Sequence, residues 1–226
     1  MSEGNTYWSQ ATVIALAEAL RAPLLQLKAG AYQGSDQSIM QIVADNALRD
    51  VEAFITSVAD LADSQLYLQP IALGAVMRDV QSLVKPFAVL HRATIIIDDH
   101  AMHQPILGNA HILRSSLELL VKSVCEMTSD TVAPKVVLRA DTRHGYPRLG
   151  VYRNDVELRS DDVRMAQKLL GGARVNAGAF HQLGALRLEV ARQLLSKLDI
   201  RLRSAQSAGS HGLAIQLLPS TQVGLF

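Results

Sequence analysis

A stripe of apolar residues at Val13, Leu16, Leu20, Leu24 and Leu27, spaced by threes and fours, constrains this chain more than any other feature. Such spacing gives a helix one greasy face and leaves Glu18, Arg21 and Gln26 on the other, the pattern of a bundle helix. Pro23 falls inside the stripe, where it removes a backbone donor and crowds the preceding turn, so a bend is expected there. A second stripe follows at Val43, Ala47, Val51, Phe54, Val58 and Leu61, reached through a glycine-containing turn over 29–36 that offers Ser35 or Asp36 as a helix cap. Two antiparallel helices cannot each bury a stripe unaided. The economical solution pairs two hairpins into a four-helix bundle, hence a homodimer; the alternative is packing of the hairpin on the chain's own C-terminal half.

The pattern changes after Gln69-Pro70. A helix is expected over 71–91, then a buried strand in the β-branched run A-T-I-I-I-D-D over 93–99. Further helices are expected over 111–127, 161–170 and 184–198. Strands are expected over 135–140, 148–152, 200–205 and 213–218, with a turn over 143–147. Between the last two helices, Gly171-Gly172 and the residues behind them read as a loop of about ten residues. The order predicts a two-layer α/β sandwich over 69–226, preceded by a dimerisation hairpin over 1–68.

Composition sets the function classes aside. A length of 226 residues with 49% hydrophobic content supports a packed core. A net charge of +1 with interspersed signs lacks the basic footprint of a nucleic-acid binder. Cys125 is the only cysteine, which excludes an intrachain disulfide and fits a reducing cytoplasm. No apolar run approaches the roughly 18 to 20 residues of a membrane span, and the first residues lack the blocks of a secretory signal, so a cytoplasmic protein is expected. Only a short segment precedes the first helix, so an input signal is expected to arrive through another protein or through the body itself. Asp98, Asp99, His100 and His103 offer a metal-ligand set but read as a solvated loop; no metal is expected. His144 and His181 fall in expected loops, and Cys125 reads as core.

The first helix, A-L-A-E-A-L-R-A-P-L-L-Q-L-K over 15–28, resembles the phospho-acceptor helix of bacterial sensor histidine kinases, whose motif is His-Glu-Leu-Arg-x-Pro-Leu. Leu20, Arg21, Pro23 and Leu24 match it, whereas Glu18 stands at the acceptor histidine and Ala19 at its acidic neighbour. The string P-I-L-G-N-A-H-I-L-R-S-S-L-E-L-L-V-K-S-V-C-E-M-T over 105–128 resembles the segment carrying the asparagine box of the histidine kinase, gyrase and chaperone ATPase superfamily. L-E-V-A-R-Q-L-L from Leu188 and G-S-H-G-L-A-I-Q-L-L-P over 209–219 resemble its closing helix and strands.

The resemblance implies that a box asparagine ligates magnesium, yet Ser123 stands there, with Leu119 at the earlier asparagine. The adenine-binding aspartate and its glycines align with R-N-D-V-E-L: Arg153 replaces the aspartate, Asn154 is kept, and Asp155 and Glu157 replace the glycines. A donor-only arginine faces the adenine amino donor badly, and the carboxylates crowd a polyanion. The glycine-rich phosphate loop aligns with L-G-A-L-R-L over 183–188, placing Leu183, Ala185 and Arg187 where backbone amides should approach phosphates. Arg187 itself reads as a solvated residue at a helix start.

The apolar frame is kept and the chemistry-bearing residues are altered. The resemblance therefore implies a catalytically inactive histidine-kinase-like scaffold in bacterial two-component signalling, a pseudokinase without cofactor. It would bind a response-regulator-type partner through Glu18, Arg21, Pro23 and Gln26, with Glu18 open to mimicking a phosphorylated histidine. Two alternatives stay open: a protein that still uses ATP and magnesium in a remodelled site or relays phosphate through a histidine, and a purely structural dimerisation module.

Overall fold

The computed structural model describes residues 45, 48–57, 67–98, 105–127, 133–163 and 182–220. The acceptor-like helix with Glu18, Arg21, Pro23 and Gln26 lies outside the described residues, as do Asp99, His100, His103, the expected loop after Gly171 and His181.

The elements run β1 (Gln69–Ala72), α1 (Leu73–Leu90), β2 (Thr94–Asp98), β3 (Pro105–Gly108), α2 (Ala110–Cys125), β4 (Lys135–Arg143), β5 (Tyr146–Arg153), α3 (Gln182–Lys197), β6 (Leu202–Ser207), β7 (Ser210–Gln216) and β8 (Leu218–Pro219). Residues 48–57 and 160–163 are also helical. The main sheet has the order β2-β4-β5-β7-β6, with β2 parallel to β4 and every other pair antiparallel. This is a mixed α/β body. A second sheet, β1-β3-β8, sits at its edge.

Local chemistry sets the boundaries. Ile71, expected to open a helix, instead pairs with Ile106 across β1 and β3, which buries both side chains and delays α1 to Leu73. Asn109 caps α2 by accepting the Ile112 amide at 3.1 Å. The β4–β5 hairpin closes on His144 and Gly145 with φ of 52° and 81°, the pair of left-handed residues that a tight two-residue hairpin turn demands. α1 and α3 each end on a left-handed residue, Arg92 and Asp199, after which Ala93 and Ile200 amides return to Ala88 and Leu195 carbonyls.

α2 packs between α1 and α3 and is the spine of the helical layer. Leu113, Leu117, Leu120 and Val124 of α2 meet Met77, Val80 and Val84 of α1 and Leu188, Ala191 and Leu195 of α3, over Leu138, Leu149, Val151 and Leu213 of the sheet. Phe54, from the second hairpin stripe, belongs to the same core, so the described part of that helix packs on its own chain. Leu48 and Ile55, on the flank of the same segment, are exposed.

On the far face of the sheet the Tyr152 ring lies across Gly150 and Gly212. A Cβ on Gly150 would run into the ring, and one on Gly212 into the Val151 carbonyl. Tyr152 is fully buried with Arg139 above the ring at 5.8 Å, and its hydroxyl has no hydrogen-bond partner among the described residues.

Candidate functional site

Charge enters the interior where α2, α3 and residues 48–57 meet. Arg187, in the second turn of α3, is 2% exposed and donates to the carboxylates of Asp50 and Glu126. It is thus buried and doubly paired rather than the solvated residue its position suggested. Lys122 Nζ lies 2.7 Å from Asp50 Oδ1 and 2.7 Å from Glu118 Oε1, one turn earlier on α2. Phe87 of α1 lines the cluster, its ring centroid 5.0 Å from the Arg187 guanidinium and 5.6 Å from Lys122 Nζ. His91 packs on Phe87 at 4.4 Å, with Nε2 3.9 Å from Glu126.

The electrostatics follow from this pairing. Burial alone would raise the Asp50 carboxyl, but the adjacent Arg187 and Lys122 charges overcome it and hold the group below its ordinary value. Burial likewise opposes the Arg187 charge, and Glu126 and Asp50 outweigh it, so the guanidinium stays firmly protonated. Burial pushes the neighbouring Cys125 thiol up to about 12, which leaves it an inert core residue.

β5 ends on Arg153, 1% exposed. Its Nε and Nη2 grip Asp155 at 2.9 and 2.5 Å, and Nη1 donates to the Val124 and Met127 carbonyls at 2.9 and 3.0 Å. Those carbonyls belong to the last turn of α2 and to the residues just beyond it, so the arginine caps a helix C-terminus. Asp155, expected to crowd a pocket, is instead the counter-charge of this cap. Asn154 is exposed, and Glu157 is an exposed partner of Arg159 at 3.2 Å.

Ser123 is fully buried and donates 2.7 Å to the Gly184 carbonyl, which ties α2 to α3. Ala185 is buried beside it. The residues aligned with the magnesium box and the phosphate loop therefore meet in one helix contact, with Arg153 at its end, while Asn154 and Glu157 stand apart. Sequence reasoning missed Asp50, Glu118, Lys122 and Glu126. The signal was there for three of them, charged residues at 118, 122 and 126 spaced by fours along α2 and into its C-cap.

These residues do not fit a magnesium nucleotide in the manner the resemblance implies. Arg153 meets a carboxylate and two carbonyls rather than an open adenine slot, and Arg187 and Lys122 are already matched by protein carboxylates. Among the described residues no group of three or more His, Cys, Asp or Glu side chains is placed to hold a metal, and Asp98 pairs with Arg139 at 2.7 Å. Among the same residues no helix is long and apolar enough to cross a membrane.

No protein-family model and no curated protein matches the chain. Solved structures do. The Acinetobacter baumannii histidine kinase AdeS superposes with a TM-score of 0.55 at 14% identity, over 88% of this chain and 96% of its own. The histidine kinase ThkA, solved in complex with the response regulator protein TrrA, gives 0.55 at 13%, over 92% of this chain and 61% of its own. A bacterial phosphotransferase gives 0.53 at 9%, over 95% and 97%. The fold is histidine-kinase-like, its α/β body that of the kinase ATPase domain.

Proposed function

We propose that this chain is a catalytically inactive histidine-kinase-like scaffold of two-component signalling, a cytoplasmic pseudokinase that dimerises and binds a response-regulator-type protein. One observation carries the reading: at the aligned phosphate loop, Arg187 is sealed between Asp50 and Glu126. A buried guanidinium with two carboxylates has no unmatched charge to offer a polyphosphate, and exposing it to one would cost both ion pairs. The partner class rests on the likeness to ThkA, whose structure is a complex with a response regulator protein. The homodimer rests on the exposed Leu48 and Ile55 of the second hairpin helix.

Calorimetric titration with a non-hydrolysable ATP analogue, with and without magnesium, tests the inactive reading. The expected result is no magnesium-dependent binding up to millimolar ligand, and heat that requires magnesium overturns it. Charge reversal at Glu18 and Arg21 is expected to weaken capture of a partner receiver domain, while unchanged affinity would remove that surface from the proposal. A phosphotransfer reading is favoured by the likeness to a bacterial phosphotransferase, but the sequence over 13–28, expected as the first helix, has no histidine to carry the phosphate.

A further inference from the structure

A cavity of about 590 Å³ opens at the end of the main sheet, between the β4–β5 turn and the α3–β6 connection. Its volume falls within the roughly 300 to 1,000 Å³ of small-molecule sites. Arg143, Arg201 and Arg203 line it with His144, and all four are exposed. Arg148 also lines it but is neutralised by Asp141, with two hydrogen bonds at 2.8 and 2.5 Å. Among the described residues, the other three arginines have no ion pair, and Asp199 is the one carboxylate on the wall.

A chain whose net charge is only +1 has thus gathered three unmatched guanidiniums around one concavity. Like charges facing one hollow repel, and an anion between them relieves that repulsion. The walls are preorganised. β7 bridges them, pairing Arg148 with Gln216 on one side and Arg203 with Ala214 on the other, and the left-handed His144 and Asp199 fix the two turns. Apolar surface joins the arginines at the edge of the hollow, where Tyr146 is 43% and Leu218 57% exposed. An arginine rim beside an exposed aromatic ring and an aliphatic side chain suits a phosphate attached to a flat organic body more than a bare inorganic ion.

We propose that this groove binds a phosphorylated small molecule of nucleotide size, held by Arg143, Arg201 and Arg203 without a metal ion. It is separate from the sealed site at Arg187 and does not rest on the pseudokinase reading. The test titrates the full chain with adenosine diphosphate in the presence of EDTA, with pyrophosphate as competitor, and repeats it on an Arg201→Glu/Arg203→Glu variant. The expected result is saturable, metal-independent binding that pyrophosphate displaces and the variant weakens by about tenfold or more. No binding at millimolar nucleotide overturns the proposal, as does binding that the variant leaves unchanged. A single-stranded oligonucleotide that binds to the same arginines and is not displaced by adenosine diphosphate also overturns it, and assigns the groove to nucleic acid. An Arg143→Ala variant, on the β4–β5 wall of the same groove and off β6, is expected to weaken binding as well, and unchanged affinity there overturns the three-arginine site.

Discussion

The α2–α3 contact and the groove at the end of the sheet use the same side chain in opposite ways. Arg187 is buried and matched by Asp50 and Glu126, whereas Arg143, Arg201 and Arg203 are exposed and have no ion pair among the described residues. Removing a guanidinium from water costs several kcal/mol, so a buried arginine is tolerated only with its counter-charges in place. A solvated arginine carries no such obligation and stays available to a ligand. The difference teaches that the charges at the α2–α3 contact satisfy one another, while three arginines at the other end of the sheet stay solvated.

The largest break in that comparison comes from Arg187→Ala. It leaves the partly buried Asp50 and Glu126 without their shared cation, with Lys122 alone still on Asp50, so a loss of about 3 kcal/mol is expected in denaturant unfolding. A loss below about 1 kcal/mol would mean the cluster is hydrated in solution and the site is open.

The same cluster should fail in acid. The Asp50 carboxyl is held below its ordinary 3.8 in the folded protein, so its stabilising contribution is present above that value and is lost as pH falls through the lower folded-state pKa. The denaturation midpoint is expected to hold above the ordinary value of 3.8 and to drop as the pH falls below it, and Asp50→Asn is expected to flatten the drop attributable to this group. An identical pH profile in the variant would show that other carboxylates govern acid unfolding.

How far the sequence reaches is plain from these two regions. The strands over 94–98, 135–143 and 146–153 were legible because β-branched runs and a Gly-containing turn mark them locally. β1, β3 and β8 were not, since strands of two to four residues show no period, and Pro70 reads as a break. Arg153 and Arg187 stood out only as departures from a resemblance. Their burial could not be read, because Arg187 depends on Asp50, 137 positions away, and on Glu126, 61 positions away. The groove was invisible for the same reason, its walls coming from residues 143–148 and 198–218.

Tyr152 stands between the two extremes, a buried polar group with nothing to match it. Its hydroxyl lacks a partner among the described residues, and burial raises its pKa, so it stays neutral. Tyr152→Phe keeps the ring over Gly150 and Gly212 and removes only the unsatisfied hydroxyl, so a gain of about 1 kcal/mol is expected by thermal or denaturant unfolding. A loss of similar size would place a hydrogen-bonding water beside the ring.

The smallest expected effect sharpens the comparison most. Arg201→Glu/Arg203→Glu alters two exposed groups that make no ion pair among the described residues, so its stability in the absence of ligand should stay within about 0.5 kcal/mol of the parent. Easing the repulsion around the hollow pushes toward a slight gain at low ionic strength, and salt should erase it because the groove is solvated. Arg187 offers no such dependence, since buried pairs are screened far less. Denaturation at low and high salt of the parent, the groove variant and Arg187→Ala therefore separates the two uses of arginine. A groove variant as damaged as Arg187→Ala would mean the rim is structural and not held open for a ligand.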